Sequence, residues 1–455
     1  MTNARSDSRL NPNPTQTIDR SKTVAFNFDG RSVEAYEGDT IASALYASGV
    51  RTFSRSFKYH RPRGLLCVGG NCPNCLMTVD GVPNVRACTE RVQNGMSVRG
   101  QNAWPSVERD FLSVLDKLGR LMPVGFYYKT FHRPKLFWRM AQPMIRRIAG
   151  LGRLEIDAPP EDRYTHRNAH TDVAVVGGGP AGLSAALAAA EAGARVTIID
   201  DQTDLGGHLR WDTRVHQDLP DVPEAIGSDI GRSLADAVRA SRRVEVLSEA
   251  TAFGLYQDNL LGVLAGDEFV KLRAKRVIVA TGSHDVPLVF EKNDLPGVML
   301  TSAALRLIHL YGVRPGSTAV VATSDDDGYY AALDLLDAGA RIAALVDSRP
   351  EFPHGMEAAE ALRAGGTLVL PSHTVVLAEG NQRVVEAIVA RVADGRPTAE
   401  ERRFDCDVIC VSAGAQPAGS LLQMAGAEMR YDDALSQYQM RAWWSFRRAL
   451  STLAG

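Results

Sequence analysis

Four of the six cysteines in this 455-residue chain fall in one short stretch as Cys67, Cys72, Cys75 and Cys88, spaced C-x4-C-x2-C-x12-C, while Cys406 and Cys410 stand apart near the end. What such a cluster can be depends on the compartment. The first 22 residues mix Arg, Asp, Asn and Pro without an apolar stretch, so they do not read as a secretory leader and a cytoplasmic chain is expected. In a reducing compartment disulfides are disfavoured, and metal ligation becomes the better reading. The x4, x2 spacing puts three thiolates on one tight loop and brings the fourth from a nearby strand, the pattern that holds a plant-type [2Fe–2S] cluster. Gly69, Gly70 and Asn71 fill the loop. Glycine there admits positive φ and carries no Cβ, so backbone N–H groups can turn toward the sulfurs. Structural zinc is the alternative, because four thiolates also suit Zn²⁺. Cys406 and Cys410 lie four apart on an expected strand over 405–412, and are read as buried structural thiols on one face.

The flanking sequence supports a small β-rich domain around the cluster. Thr23 to Phe28 alternates, turns at Asp29-Gly30, and alternates back from Arg31 to Tyr36; Asp39 is the expected cap of a helix to about Gly49. After the loop, Cys75 to Val79, the Asp80-Gly81 turn and Val82 to Cys88 read as a second hairpin. Strand pair, helix, cluster loop and hairpin follow the order of a β-grasp ferredoxin.

Charge excludes several classes of partner. With 51 Lys and Arg against 53 Asp and Glu, the chain has no global field to attract a polyanion, and nucleic acid is not expected as a partner. No membrane span is expected either, because the uncharged run from Val173 to Ala190 is broken near its start by Gly177, Gly178, Gly179, Pro180 and Gly182. One local field stands out: nine basic residues and no acid between Lys117 and Arg153, with Phe126, Tyr127, Tyr128, Phe131, Phe137 and Trp138 among them. Aromatics mixed with arginine favour an interdomain or subunit interface over a solvated linker.

Downstream, the strand Val173 to Val176 runs into Gly177-Gly178-Gly179-Pro180-Ala181-Gly182 and an Ala-rich helix, which is the G-x-G-x-x-G turn of a dinucleotide site. Gly177 permits the tight turn, Gly179 lets backbone approach a pyrophosphate, Gly182 allows close helix packing, and the helix N-terminus stabilises phosphate charge. The next strand ends at Asp200, a carboxylate able to accept ribose hydroxyls, with Asp201 as the neighbouring candidate. Leu205-Gly206-Gly207 and Ala280-Thr281-Gly282 are companion motifs of two-dinucleotide flavoproteins, and they favour FAD over NAD at this site. A second strand-turn-helix-strand unit runs from Thr318 to Asp347, but its turn reads Thr323-Ser324-Asp325-Asp326-Asp327-Gly328. Three carboxylates in that turn would repel phosphate, so a nicotinamide dinucleotide is not expected there.

Laid end to end, Arg55-Ser56-Phe57-Lys58-Tyr59-His60-Arg61-Pro62-Arg63-Gly64, the Cys67 loop, Phe126-Tyr127-Tyr128-Lys129 and the Gly177 fingerprint resemble the N-terminal half of the alpha subunit of heterotetrameric sarcosine oxidase and of related amine, proline, hydroxyproline and opine dehydrogenases. The resemblance implies amine oxidation on the flavin of a separate beta subunit, FMN shared between subunits, small subunits in some members, and a dinucleotide and [2Fe–2S] cluster on this chain. Carried over by position, Cys67, Cys72, Cys75 and Cys88 would be the cluster ligands, and Gly177, Gly179, Gly182 and Asp200 would hold the dinucleotide. Two departures stand out: the folate-binding domain of the sarcosine oxidase subunits is absent, and no late flavin-binding Gly-x-x-x-x-Gly-Asp follows Gly414, which makes a truncated product an expectation to weigh.

The expected fold is therefore α/β with an N-terminal β-grasp [2Fe–2S] domain followed by a Rossmann-like two-dinucleotide region. The expected boundaries are a flexible tail over 1–22, the β-grasp over 23–105, a basic and aromatic connector over 106–165, an FAD domain over 166–311 and 400–437, a nested second dinucleotide-like domain over 312–399, and an atypical tail over 438–455. The expected function is electron transfer within an amine or imino-acid dehydrogenase complex. A self-contained NAD(P)H:acceptor reductase and a non-catalytic binding subunit are the alternatives. No acid–base constellation emerges: His60, His208 and His284 adjoin the motifs, but each reads as a packing or hydrogen-bonding histidine.

Overall fold

The computed structural model describes residues 8–119, 125, 129, 133–148, 165–217, 224–435 and 437–440. Two compact units emerge, residues 1–158 with 285–414, and residues 159–284 with 415–455.

The first unit opens with strands β1 (Asp19–Phe28) and β2 (Arg31–Glu37), paired antiparallel across the Asp29-Gly30 turn, where both residues take positive φ. Helix α1 (Ile41–Ala47) follows, with all seven of its residues buried. Its cap is Thr40 and not Asp39: the Thr40 hydroxyl accepts from the Ser43 N–H at 3.1 Å, while the Thr40 N–H donates to the Ser43 hydroxyl. Asp39 is buried for a different purpose. It accepts from Arg9 Nη2 at 2.6 Å, from the Ser43 hydroxyl at 2.6 Å and from the Tyr36 N–H at 3.0 Å. Strands β3 (Leu76–Val79), β4 (Val82–Arg86) and β5 (Ser97–Gly100) complete a sheet of order β2-β1-β5-β3-β4, with β1 and β5 parallel. Parallel neighbours need a long crossover, and α1 with the cysteine loop lies in that connection, which is the β-grasp.

Part of the expected N-terminal tail is ordered structure. Residues 8–22 are fixed by the Arg9–Asp39 pair, by Leu10 N–H donating to Gly312 O at 2.8 Å and by Thr17 N–H donating to Leu310 O at 2.9 Å. The physical cause is that a fully buried carboxylate requires its cation. In the connector, helix α2 (Lys135–Ile148) leaves Leu136, Phe137, Trp138 and Met140 exposed, while Phe126, Tyr127, Tyr128 and Phe131 lie outside the described residues.

The second unit contains β6 (Thr165–Val176), α3 (Pro180–Glu191), β7 (Val196–Ile199), α4 (Gly227–Ala240), β8 (Val244–Leu247), β9 (Ala250–Tyr256), β10 (Leu260–Ala265) and β11 (Glu268–Val279). The sheet order is β8-β7-β6-β11-β10-β9, parallel from β8 to β11 and antiparallel beyond. Leu183, Ala186 and Ala190 of α3 are buried in one core with Val175 and Ile198, and the small alanines let the helix approach the sheet closely.

The remainder of the first unit is a second parallel fold. Its elements are β12 (Val298–Leu300), α5 (Thr301–His309), β13 (Thr318–Thr323), α6 (Asp327–Asp337), β14 (Arg341–Asp347), α7 (Glu357–Ala364), β15 (Val369–Pro371), then an antiparallel trio β16 (His373–Glu379), β17 (Glu386–Ala393) and β18 (Arg396–Asp405), and last β19 (Val408–Ser412). The parallel sheet runs β12-β19-β13-β14-β15. Residues 298–300 and 408–412, assigned by sequence to the FAD domain, pair in this second sheet. All five residues of β19 are buried, and a strand apolar on both faces needs the centre of a covered parallel sheet.

Cys406 and Cys410 are both buried, and desolvation pushes each thiol up to about 12. They do not share a face. Cys406 precedes β19 and packs with Ile409 and Val411, whereas Cys410 packs with Val408 in the other core. That other core is continuous from the β-grasp through α5, β13 and α6. The Leu300 N–H donates to Leu66 O at 2.9 Å within it, and the Tyr46 hydroxyl to Pro315 O at 2.5 Å. No helix among the described residues is long and apolar enough to cross a membrane. Asp39→Ala, which leaves Arg9 without its carboxylate, is expected to cost about 3 kcal/mol in denaturant unfolding of the whole chain.

Candidate cofactor sites

The cysteine loop hangs between the β-grasp strands and the shared core. Cys67, Cys75 and Cys88 are buried and Cys72 is half-buried, all as free thiols. The Cys67 and Cys72 sulfurs are 3.3 Å apart, and Cys88 bonds both Cys67 and Cys75. Contacts with Cys72 and Cys88, and the N–H groups of Gly69 and Asn71, hold Cys67 well below the ordinary thiol range. The same sulfur contacts push Cys72 and Cys88 upward instead. Gly70 N–H points at Cys88 Sγ from 3.3 Å. Four thiolates this close need metal charge to exist together, and a dry pocket makes that need stronger. Among the described residues no three His, Cys, Asp or Glu side chains are set around one ion. A two-iron cluster asks only two thiolates of each iron, and four thiols gathered in one connected group fit that demand.

The loop glycines act differently from one another. Gly70 has φ of 79°, as expected, but Gly69 does not take positive φ. A Cβ on Gly69 would lie 2.9 Å from Arg306 Nη1, so its missing side chain makes room for a guanidinium. The left-handed position before it falls to Val68, buried and β-branched with φ of 46°, a conformation that the surrounding packing must impose.

In the second unit, three glycine motifs converge. A Cβ on Gly177, whose φ is 108°, would fall 2.2 Å from Ala280 O, and one on Gly182 would fall 1.8 Å from Gly177 O. Gly206 N–H donates to Gly178 O at 2.8 Å, and a Cβ on Gly207 would be 2.8 Å from Gly179 Cα. Ala280 N–H donates to Val176 O at 2.7 Å, and the Thr281 hydroxyl to Ala418 O at 2.7 Å, with Ala418 N–H returning to Gly282 O. Within the Gly177 to Gly182 turn, Gly179 faces open space, its nearest neighbour at 3.9 Å, where a phosphate would approach. It caps α3 without any side-chain bond, with Pro180 and Ala181 as the first helical residues, so the N–H groups of the first turn remain for a ligand. Asp200 lies against this loop, accepting from Gly178 N–H at 2.5 Å and Gln202 N–H at 2.8 Å, and burial pushes its carboxyl upward. Asp201 is exposed and accepts from the Gln202 side chain. The residues present fit a dinucleotide.

The equivalent turn of the second parallel fold is closed. Asp325 Oδ1 accepts from the Ser412 hydroxyl at 2.7 Å, and Oδ2 accepts from the Gly414 N–H at 2.8 Å. The Thr323 hydroxyl adds a bond to Asp325 O at 2.8 Å. Asp347, fully buried at the end of β14, is held by Arg349 and the Tyr329 hydroxyl, and Arg349 also binds Asp326 at 2.6 Å. Asp325 puts a carboxylate where a phosphate would sit, and Asp347, the acceptor a ribose would use, is already held by Arg349 and Tyr329, so the turn does not fit a second dinucleotide.

Three features went unread in sequence: Arg306, the Arg9–Asp39 pair, and the internal bonding of Asp325. Each depends on partners far along the chain, where local pattern carries no signal. His60 is fully buried, with Nδ1 2.6 Å from Asp110 Oδ2, whereas His208 and His284 are exposed.

The fold and sites define an iron–sulfur and flavin-binding oxidoreductase. Residues 171–440 match the pyridine nucleotide-disulphide oxidoreductase model, and the chain belongs to that family. Residues 21–103 match the 2Fe-2S iron-sulfur cluster binding domain, so the chain combines a [2Fe–2S] domain with a flavin-binding one. The chain is 40% identical over 352 residues to a sarcosine oxidase subunit alpha of Rhizobium meliloti, covering 73% of this chain and 35% of that protein. It is 31% identical over 442 residues to the same subunit of Corynebacterium sp. strain P-1, covering 93% and 40% respectively. It therefore spans little more than a third of the length of these relatives. The fold is also that of L-proline dehydrogenase from P. horikoshii, with a TM-score of 0.63, 21% identity, and coverage of 96% of this chain and 67% of that one.

Gly177→Ala is expected to strip FAD from the purified chain while leaving its iron intact, read as flavin released per chain on denaturation. Cys88→Ser is expected to do the reverse, read as acid-labile sulfide.

Proposed function

We propose that this chain is the electron-transferring subunit of a sarcosine oxidase-like amine or imino-acid dehydrogenase complex. Cys67, Cys72, Cys75 and Cys88 hold the [2Fe–2S] cluster, and Gly177, Gly179, Pro180, Ala181, Gly182, Asp200, Gly206, Gly207, Ala280, Thr281 and Gly282 cradle FAD. When bound, these groups supply one-electron and two-electron chemistry, respectively. The chain's residues hold, orient and shield them: the first turn of α3 neutralises phosphate charge, and the buried loop keeps water from three of the four thiols. The amine is oxidised on a flavin-containing beta subunit.

The observation that carries this over a self-contained NAD(P)H reductase is Asp325. With its carboxylate on Ser412 and Gly414, the second fold offers a pyridine nucleotide no phosphate cradle. A partner surface is supplied by α2, where Leu136, Phe137, Trp138 and Met140 are exposed beside Arg139.

Two measurements test the reading. Chain purified without oxygen is expected to carry about two irons and two sulfides with one FAD, and a rhombic EPR signal after reduction. NADH and NADPH are expected to leave its flavin absorbance unchanged, whereas an amine or imino acid bleaches it once a beta subunit is co-purified. Rapid bleaching by NADH in the isolated chain would refute the relay.

A further inference from the structure

We infer that Arg306 is a positioning residue that sets the redox poise of the cluster, delivered to the cysteine loop by the second dinucleotide-like fold. The inference rests on the assignment of the cluster to Cys67, Cys72, Cys75 and Cys88.

Arg306 lies on α5, in the same compact unit and beside the same core as the loop. Its Nη1 donates to the Cys67 carbonyl at 2.8 Å and to the Ser302 hydroxyl, one turn earlier, at 3.3 Å. The Ser302 hydroxyl in turn donates to Asp285 in a short bond. The guanidinium also fills the place where a Cβ of Gly69 would stand, 2.9 Å from Nη1 and 3.1 Å from Cζ. Two separate features of the loop are thus shaped to one side chain: a carbonyl aimed at it and a residue without a side chain beneath it. Burial pushes the guanidinium's proton affinity down, while Asp285, Cys67 and Cys88 act in the opposite sense. A guanidinium keeps its proton regardless, so it is a fixed positive charge within the field of two ligand sulfurs.

Reduction of a [2Fe–2S] cluster adds one negative charge at the loop. A cation fixed beside it, partly shielded from solvent, stabilises that charge far more than a mobile surface lysine would. Net charge and hydrogen bonding around the sulfurs are the general levers on cluster potential, and Arg306 acts through the first while its bond to the Cys67 carbonyl fixes it beside the loop. Asp285 is the counterweight in the same network, a negative charge that opposes the arginine.

The test uses the full chain purified without oxygen, with iron and sulfide counted and the cluster titrated by EPR against redox mediators. At the potential where the wild-type cluster is half reduced, Arg306→Gln, which keeps hydrogen-bond donors but loses the charge, is expected to lower the reduced-to-oxidised ratio at least tenfold. For a one-electron couple that is about 59 mV. Arg306→Lys is expected to restore most of the ratio, and Asp285→Asn to raise it above wild type. If Arg306→Gln keeps its iron and the wild-type ratio, the inference is overturned. If Arg306→Gln loses iron, Asp285→Asn decides: a raised ratio upholds the inference and an unchanged one overturns it. A wild-type chain that binds no iron is a separate result, because it removes the cysteine assignment before Arg306 is tested.

Discussion

Everything in the first unit is organised around keeping four thiols in a pocket that water scarcely enters. A thiolate costs little in water and much in a core, so the loop must be met by N–H groups, by a neighbouring charge and by metal. The backbone of Gly69, Gly70 and Asn71 gives the first of these, and Arg306 the second. Neither would hold its place on a freely moving loop. The β-grasp is therefore not a separate bead: its core runs without a break into α5, β13 and α6, and Leu66, on the loop itself, hydrogen-bonds Leu300.

The two parallel folds answer one demand in opposite ways. Both place a strand, a turn and a helix so that N–H groups and a strand-end carboxylate face a common point. In the second unit, glycine at 177, 182 and 207 lets the motifs pack backbone against backbone, and glycine at 179 leaves the approach to the helix N-terminus open. In the first unit, Asp325 supplies an oxyanion of its own, and Asp347 turns inward to Arg349 and Tyr329. The family name points to pyridine nucleotide chemistry, but among the described residues the Asp325 turn is filled from within while the Gly177 turn is open.

Much of this was legible in the order of residues. The cysteine spacing, the G-x-G-x-x-G turn and its companion motifs are local patterns whose chemistry follows from backbone geometry, and Gly177, Gly179, Gly182, Gly206 and Gly207 lie together around one turn. Boundaries were less legible. Val408 to Ser412 looks the same in sequence whichever parallel sheet receives it, and only the pairing with β12 and β13 decides. Asp39 reads as a helix cap until Arg9, thirty positions away, is seen to claim it. Asp325 to Asp327 reads as hostile to phosphate by simple repulsion, and the structure adds that Asp325 takes the Ser412 and Gly414 donors itself. Gly69 reads as a conformational hinge, whereas its role is to leave a void for a side chain more than two hundred residues downstream.

The self-bonded turn at Asp325 has a thermodynamic corollary. A fold completed by its ligand is stabilised only as far as that ligand is present, by mass action on the native state. The Gly177 cradle is of that kind, and its unit gains stability as flavin is supplied. The fold that carries Arg306 completes its own anion site with the Asp325 carboxylate, hydrogen-bonded within the chain, so its stability does not follow the concentration of a dinucleotide at that turn. The platform that steadies the cluster loop is thereby insulated from the metabolic state that fills and empties its neighbour.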